Sequence, residues 1–346
     1  MRILIVSDAW APQVNGVVTS LAALISELRG LGHQVKLLSP ADFRSVPCPT
    51  YPEIPLVWNL WRVGALIRDF RPDCVHLATE GPLGWAARRW LVKRDLAFST
   101  AIHTRFPEYV STRWPWIAPR WGYALLRAFH RPSQAVLVTT ERLREEFAGW
   151  DLQRLQLWRK GVDTGLFSPN GTRQAKAQPV FLYVGRIAPE KNLQAFLDLA
   201  LPGEKRVVGD GPQREALQLR YPQVSFLGYR RGQALAEAYQ DASVLVFPSR
   251  TDTYGLVMLE ALACGTPVAA FPVAGPLDVL QQGLSGVMDE DLGAACLAAL
   301  ELDRGRCAEL AAAQSWRASA LEFLALQPLI DGEPVVLDET LADTAL

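Results

Sequence analysis

Two carboxylates eight residues apart, Asp252 and Glu260, stand in the stretch FPSRTDTYGLVMLEALACGTPV, residues 247–268. A carboxylate accepts two hydrogen bonds from a vicinal diol, the usual acidic solution to a ribose. The stretch reads as a strand ending at Phe247, a loop with Asp252 and Tyr254-Gly255, and a helix carrying Glu260. One acid then lies before the helix start and the other about a turn inside it. Both can face one cleft mouth, one near a sugar and one near a ribose diol. Backbone N–H groups of Tyr254, Gly255, Leu256 and Val257, at the helix start, suit phosphate or sugar oxygens. An N-capping Asp and a surface Glu are the plainer reading of the same two residues.

Three further segments could hold an anion. Gly185-Arg186 closes an apolar run, and Lys191 follows five residues on. Two cations there suit a diphosphate, or are ordinary solvated bases. Gly209-Asp210-Gly211-Pro212 is a tight turn where the backbone could pass close to a ligand, or a turn and nothing more. Asn15-Gly16 precedes a helix, whose first N–H groups suit a phosphate. Gly16 would allow close approach, although an Asn-Gly bend is also a common turn. The segment is not GxGxxG, which disfavours a dinucleotide cofactor.

The elements that must position these residues are legible in the hydrophobic pattern. Strands are expected at Ile3–Val6, Gln34–Leu38, Cys74–Leu77, Ala97–Ile102 and Ala135–Val138. Leu21, Leu24, Ile25, Leu28 and Leu31 have helical spacing, and Gly32 stops that helix. Val63–Phe70, Trp85–Lys93 and Ala118–His130 also read as helices. Residues 47–55 hold four prolines and read as a loop. Gly161 to about Gln178 reads as a linker, after which strands recur at Val180–Val184, Arg206–Val208, Val224–Leu227, Val244–Phe247 and Val268–Phe271. Alternating strand and helix twice over means two Rossmann-like α/β domains with parallel sheets. Ligands of such sheets bind outside the carboxyl ends of the strands. Domains are expected over 1–165 and 166–310, then a helix over 311–326. The acidic remainder, 327–346, reads as a mobile tail.

Length and composition narrow the classes. At 346 residues the chain suits two cores. With 35 basic and 36 acidic residues it lacks the basic excess of nucleic-acid binders. Five scattered Cys without a CxxC pair and only four His argue against disulfide and zinc frameworks. No DxD-like metal motif stands out. The run after Arg2 is too short for a signal segment, and no run of about 18 apolar residues occurs. A cytoplasmic protein is expected.

The whole string from Phe247 to Val268 resembles the EX7E signature of the retaining glycosyltransferases of family four. Gly185-Arg186 with Glu190-Lys191-Asn192 is similar to that family's "GR…EKN" segment, and Gly209–Pro212 to its "G.GP" turn. Asn15-Gly16-Val17 resembles its donor loop, and Ser315-Trp316 with Phe323-Leu324 its C-terminal helix, which crosses back to the first domain. The resemblance covers about residues 1–325. Within it, Glu80–Gly84, His103–Tyr109 and Asp252–Gly255 look most like bacterial α-mannosyltransferases that use GDP-mannose.

That resemblance implies a GT-B fold with an interdomain cleft, a nucleotide-sugar donor and no cofactor or metal. Gly16 would lend its N–H to the donor phosphate, Arg186 and Lys191 would neutralise the diphosphate, Glu260 would hold the ribose, and Asp252 the sugar. Gly185, Gly209, Asp210, Tyr254, Gly255 and Leu256 would complete the donor site. His103 would touch the sugar near the reaction centre. Retention by front-side attack, assisted by the leaving phosphate, is implied. The sequence departs from the family in its first acid: Asp252 replaces Glu and is one methylene shorter, on the order of 1.5 Å less reach.

The acceptor is expected at the first domain, with Glu80 and Arg105 as candidates. Arg113–Arg131 mixes bases with Trp114, Trp116 and Trp121, and Arg88-Arg89-Trp90 with Lys93-Arg94 forms a second cluster. Trp with Arg suits a membrane interface, at roughly 1 kcal/mol per base toward anionic lipid; a core helix with snorkelling arginines is the alternative. Either a lipid or a saccharide acceptor is compatible. A UDP-sugar-dependent glucosyl transferase of glycolipids shares much of the pattern. A non-hydrolysing sugar-nucleotide epimerase would need more general bases than this chain shows. A non-catalytic sugar-nucleotide-binding protein has Asp252 as its only support.

Overall fold

Uninterrupted apolar strands separated by amphipathic helices can be buried only as parallel sheets covered on both faces. The computed structural model, which describes residues 1–13, 15–48, 51–103, 119–169, 178–252 and 254–330, contains two such sheets of six strands each. Contacts divide the chain into two compact units, Met1–Lys160 with the segment from Trp316, and Gly161–Ser315.

The first unit runs β1 (Arg2–Val6), α1 (Gly16–Gly30), β2 (Gln34–Leu38), β3 (Ser45–Cys48), β4 (Tyr51–Val57), α2 (Val63–Phe70), β5 (Cys74–Leu77), α3 (Pro82–Val92), β6 (Ser99–Ala101), α4 (Pro119–His130), β7 (Ala135–Val138), α5 (Glu141–Gly149) and β8 (Leu155–Leu157). The parallel sheet has the order β2-β1-β5-β6-β7-β8, with Ile3 level with Val35 on one side and Cys74 on the other. Alternation along β1 divides its side chains between two cores. Ile3 and Ile5 pack with Leu21, Leu24 and Leu28 of α1, whereas Leu4 and Val6 pack with Ile67 of α2 and Leu83 and Leu91 of α3. Burying each such side chain is worth about 1.5–3 kcal/mol.

Asp8, after β1, fastens this sheet to α3. Its carboxylate accepts from the backbone N–H of Leu83 at 2.8 Å and of Gly84 at 3.2 Å, and from Thr79 Oγ1 at 2.8 Å. Burial raises its pKa against the pull of these donors.

The second unit runs β9 (Val180–Val184), α6 (Leu193–Leu197), β10 (Glu204–Val208), α7 (Arg214–Arg220), β11 (Ser225–Gly228), α8 (Gln233–Asp241), β12 (Val244–Phe247), α9 (Leu256–Ala263), β13 (Val268–Ala270), α10 (Ala274–Val279), β14 (Gly286–Met288), α11 (Leu292–Ala299) and α12 (Arg304–Ala312). Its parallel order is β11-β10-β9-β12-β13-β14. The winding reverses at β9, whose neighbours are β10 and β12, so the crevice of this sheet opens at the carboxyl ends of those three strands.

Helix α13 (Trp316–Ala325) belongs to the first unit. Ala320, Phe323 and Leu324 join the core beside α1, and buried Trp158 donates Nε1–H to Ser319 O and Oγ at 3.1 Å.

Several sequence expectations need correction. The units meet at 160/161 and 315/316, not at 165/166 and 310/311. The start of the expected linker is second-unit core: Val162 donates its N–H to Gln314 O at 2.8 Å, and Phe167 packs edge-on to Tyr239. The tail does not begin at 327, because Gln327 is buried against Ser99 at 2.6 Å and Ile330 donates to Asp73 O at 2.9 Å. The proline-rich segment forms the antiparallel pair β3–β4, where a two-stranded ribbon turns alternate N–H groups outward and tolerates proline. The short edge strands β8 and β14 carry too few apolar residues to announce themselves.

Candidate active site

The second-unit crevice begins as two loops joined backbone to backbone. Gly185 ends β9 and Gly209 ends β10, with φ of 155° and 143°. A Cβ on Gly209 would stand 1.8 Å from Gly185 O, and one on Gly211 2.4 Å from Ile187 O. These glycines are therefore required by loop-on-loop packing, with Gly185 N–H donating to Val208 O and Ile187 N–H to Asp210 O. Asp210 does not face an open site alone: its carboxylate accepts from Gly211 N–H at 2.8 Å and from Arg214 at 3.0 Å.

The loops after β9 and β12 are also tied together. Asn192, with φ of 53°, donates Nδ2–H to Pro248 O at 3.1 Å, and Thr251 Oγ1 donates to Glu190 O at 3.2 Å. This holds Lys191 over the β12 loop, where its ammonium is ion-paired with Asp252. The two side chains keep 26% and 22% of their exposure, so the pair is within reach of a ligand. Arg186 is half-buried on the same loop, one residue beyond Gly185.

Helix α9 points its N-terminus into this crevice. Gly255, with φ of 82°, sits at the N-cap and has no side chain to cap the helix, and the first turn has no acid. A Cβ there would stand 2.8 Å from Met258 Cε and 2.9 Å from the Phe247 ring. The amides near Leu256 thus retain unused donors and the positive end of the helix dipole. Tyr254 contributes backbone rather than its phenol, which is buried and donates to Gln314 Oε1 at 3.0 Å. Glu260 lies a turn in, and Tyr239, fully buried on α8, donates its hydroxyl to Glu260 Oε2 at 2.7 Å. Burial raises the Glu260 pKa, and the Tyr239 hydroxyl partly offsets it. This contact is one that no sequence spacing marks, since Tyr239 lies 21 residues away on another helix.

Gly16, Glu80 and His103 follow β1, β5 and β6, adjacent strands of the first sheet. At α1 the expected free amides are partly used: Asn15 Oδ1 accepts from Val17 and Val18 N–H, both at 3.0 Å. Glu80 Oε1 faces the buried His130 Nε2 at 3.3 Å, and His130 Nδ1 is 2.8 Å from Thr100 Oγ1. His103 packs edge-on to Trp158 at 5.9 Å. Burial, then Lys160 and His76, hold its imidazole well below the usual histidine range. Arg105, Trp114 and Trp116 lie outside the described residues. Arg88 is not free for lipid, because it donates to Phe129 O at 2.8 Å and Ala128 O at 2.6 Å, closing the end of α4. The structure therefore gathers the second-unit donor candidates at one crevice, and places Gly16, also a donor candidate, with Glu80 and His103 at the carboxyl end of the other sheet.

Residues 14–166 match the family model for Glycosyltransferase Family 4, and residues 178–302 that for Glycosyl transferases group 1. The GDP-mannose-dependent alpha-mannosyltransferase of Mycobacterium tuberculosis is 31% identical, over 83% of this chain and 83% of its own. Among solved structures, sucrose-phosphate synthase of Thermosynechococcus elongatus superposes with a TM-score of 0.77 at 20% identity, over 93% of this chain and 97% of its own. HepE of Anabaena in complex with UDP-glucose gives 0.67 at 14% identity, over 94% and 99%. Both sheets are thus GT-B domains, and the chain is a hexosyltransferase that belongs to glycosyltransferase family 4.

Proposed function

We propose that the protein transfers mannose from GDP-mannose to a lipid or saccharide acceptor, with retention at the anomeric carbon and without a metal. The observation that carries this reading is the Lys191–Asp252 pair beside the uncapped N-terminus of α9, with Glu260 a turn behind it. Lys191 and Arg186 take the charge of the leaving diphosphate, the task a metal performs elsewhere. Glu260 accepts from the ribose diol, Asp252 holds sugar hydroxyls, and His103 lies near the transferring sugar. The C1–O bond to the diphosphate breaks as the acceptor oxygen bonds C1 on the same face. The acceptor proton passes to the departing phosphate oxygen. The mannosyltransferase relative favours GDP-mannose.

A UDP-glucose donor is the second reading, favoured by the HepE likeness in fold. Calorimetric titration with GDP, UDP and ADP in the presence of chelator separates the two. Tight GDP binding supports mannose transfer, UDP preference moves the enzyme to glucosyl transfer, and binding of none removes the donor site.

For the acceptor, we propose a lipid met at the cytoplasmic face of a membrane. Trp58, Trp61 and Trp121 of the first unit are 50%, 72% and 66% exposed, which suits an interfacial contact. Among the described residues no helix is long and apolar enough to cross a membrane. Co-sedimentation with anionic but not neutral vesicles is expected; equal binding to neither leaves the saccharide acceptor.

A further inference from the structure

Side-chain protons in the first unit can be traced one by one from the end of α4 to Glu80. Ser133 Oγ donates its single proton to the His130 carbonyl at 2.7 Å. It has none left for Thr100, so Thr100 Oγ1, on β6, spends its own proton on Ser133 Oγ at 3.2 Å. Thr100 Oγ1 therefore meets His130 Nδ1, 2.8 Å away, as an acceptor, and Nδ1 carries a ring proton. Thr100, Ser133 and His130 are all buried.

The consequence falls on the other ring nitrogen. In a neutral ring with Nδ1–H, Nε2 is a lone pair, and it faces Glu80 Oε1 at 3.3 Å. Both atoms are buried, and neither makes a hydrogen bond to any other described residue. Two bare acceptors at that distance repel, so one proton lies between them, on the nitrogen or on the oxygen. In either state Oε1 is occupied and Oε2 is unprotonated. The Glu80 side chain keeps 25% of its exposure, which falls on Oε2 and the stem because Oε1 is buried. Oε2 thus accepts and cannot donate. Asp8 cannot take its place, since its oxygens already accept from Leu83 and Gly84 N–H and from Thr79 Oγ1.

We propose that Glu80 Oε2 accepts a hydrogen bond from a hydroxyl of the acceptor substrate, and that His130 is the positioning residue that holds Oε1 and leaves Oε2 outward. The inference rests on the reading that the acceptor substrate meets the first unit at the carboxyl end of its sheet. The attacking hydroxyl gives its proton to the departing phosphate, so the hydroxyl held by Glu80 is a second one. A glycosyl or polyol head group offers it. A diacylglycerol, with a single hydroxyl, does not.

Two measurements on the full chain test this. NMR of the histidine rings, with His130 assigned by correlation to its own backbone, reads which nitrogen is protonated. A protonated Nδ1 is expected, and a neutral ring with bare Nδ1 overturns the proposal. Transfer from GDP-mannose is then followed to monoglucosyl diacylglycerol and to dioleoylglycerol, each in mixed micelles. Use of the glycosyl lipid is expected. Preference for dioleoylglycerol, equal use of the two, or transfer to neither while GDP binds overturns the proposal. Glu80→Ala raises the KM for the glycosyl lipid by about 10- to 150-fold and leaves GDP affinity unchanged. Glu80→Gln gives its NH2 group to Nε2 and keeps a carbonyl oxygen outward, so it loses only about fivefold. Equal damage by Gln and Ala overturns the proposal, and so does weaker GDP-mannose binding with an unmoved lipid KM. His130→Phe keeps the ring volume and raises the lipid KM without moving GDP affinity; if it does not fold, the ring NMR and the two Glu80 variants decide. Failure of GDP to bind would remove the donor reading alone, and the His130 proton would still test the pair.

Discussion

Replacing Asp252 by Asn separates two roles that the proposed reaction assigns to neighbouring atoms. Without ligand, the Lys191 ammonium is held by the Asp252 carboxylate. A diphosphate must take Lys191 from that partner before it gains the charge. At 26% and 22% exposure the pair is solvent-screened, and such pairs are worth about 0.2–1 kcal/mol. Asp252→Asn removes this competitor, so GDP without a sugar should bind more tightly, by at most about fivefold. Transfer should nevertheless collapse, because the charge is lost and one of the two oxygens that accept from sugar hydroxyls becomes an NH2 donor. Lys191→Met removes a charge-assisted bond worth about 1.5–3 kcal/mol, weakening GDP by about 10- to 150-fold. Calorimetry with GDP and a mannosyl-transfer assay on both variants give the two readouts. Equal weakening of GDP by both substitutions would refute the reasoning, since Asp252 would then organise Lys191 rather than compete for it.

Three other outcomes are expected. Tyr239→Phe removes the donor to Glu260 and raises that carboxyl's pKa further above its unfolded value of 4.5. A raised carboxyl pKa means the folded state binds more protons, so stability falls as pH rises from 4.5 through the folded pKa, and the variant should lose about 1–3 kcal/mol more above that window in pH-resolved melting. Gly209→Ala drives a Cβ into Gly185 O and strains a φ of 143°, so the second unit should melt at least about 4 °C lower by calorimetry. Burial pushes the thiols of Cys74, Cys264 and Cys296 up to about 12 and that of Cys307 to about 11. At pH 8 all four should resist a disulfide reagent until the chain unfolds, and fast reaction of any one would contradict its burial.

What could be read in the sequence follows from how local each signal is. β5, β7, β9 and β12 occupy the residues expected of them, because strands buried along their whole length are nearly all apolar. The family and the residues that follow each strand were equally legible, as EX7E, "GR…EKN" and "G.GP" are contiguous in the chain. Contacts between distant residues were not. The glycines at 185, 209 and 211 look like ligand turns, yet two neighbouring loops need their bare backbone. Gly161–Phe167 has linker composition, but Val162 and Phe167 complete a core whose other half comes from α8 and the chain before α13. Tyr239 under Glu260, Asn192 across to Pro248, and Lys160 with His103 and His76 on Trp158 join residues that share no periodicity. A linear pattern records which residues are apolar and which sit after a strand. Strand order and helix docking alone decide which polar group is brought against which, and whether a carboxylate or amine is left in water or buried among other charges.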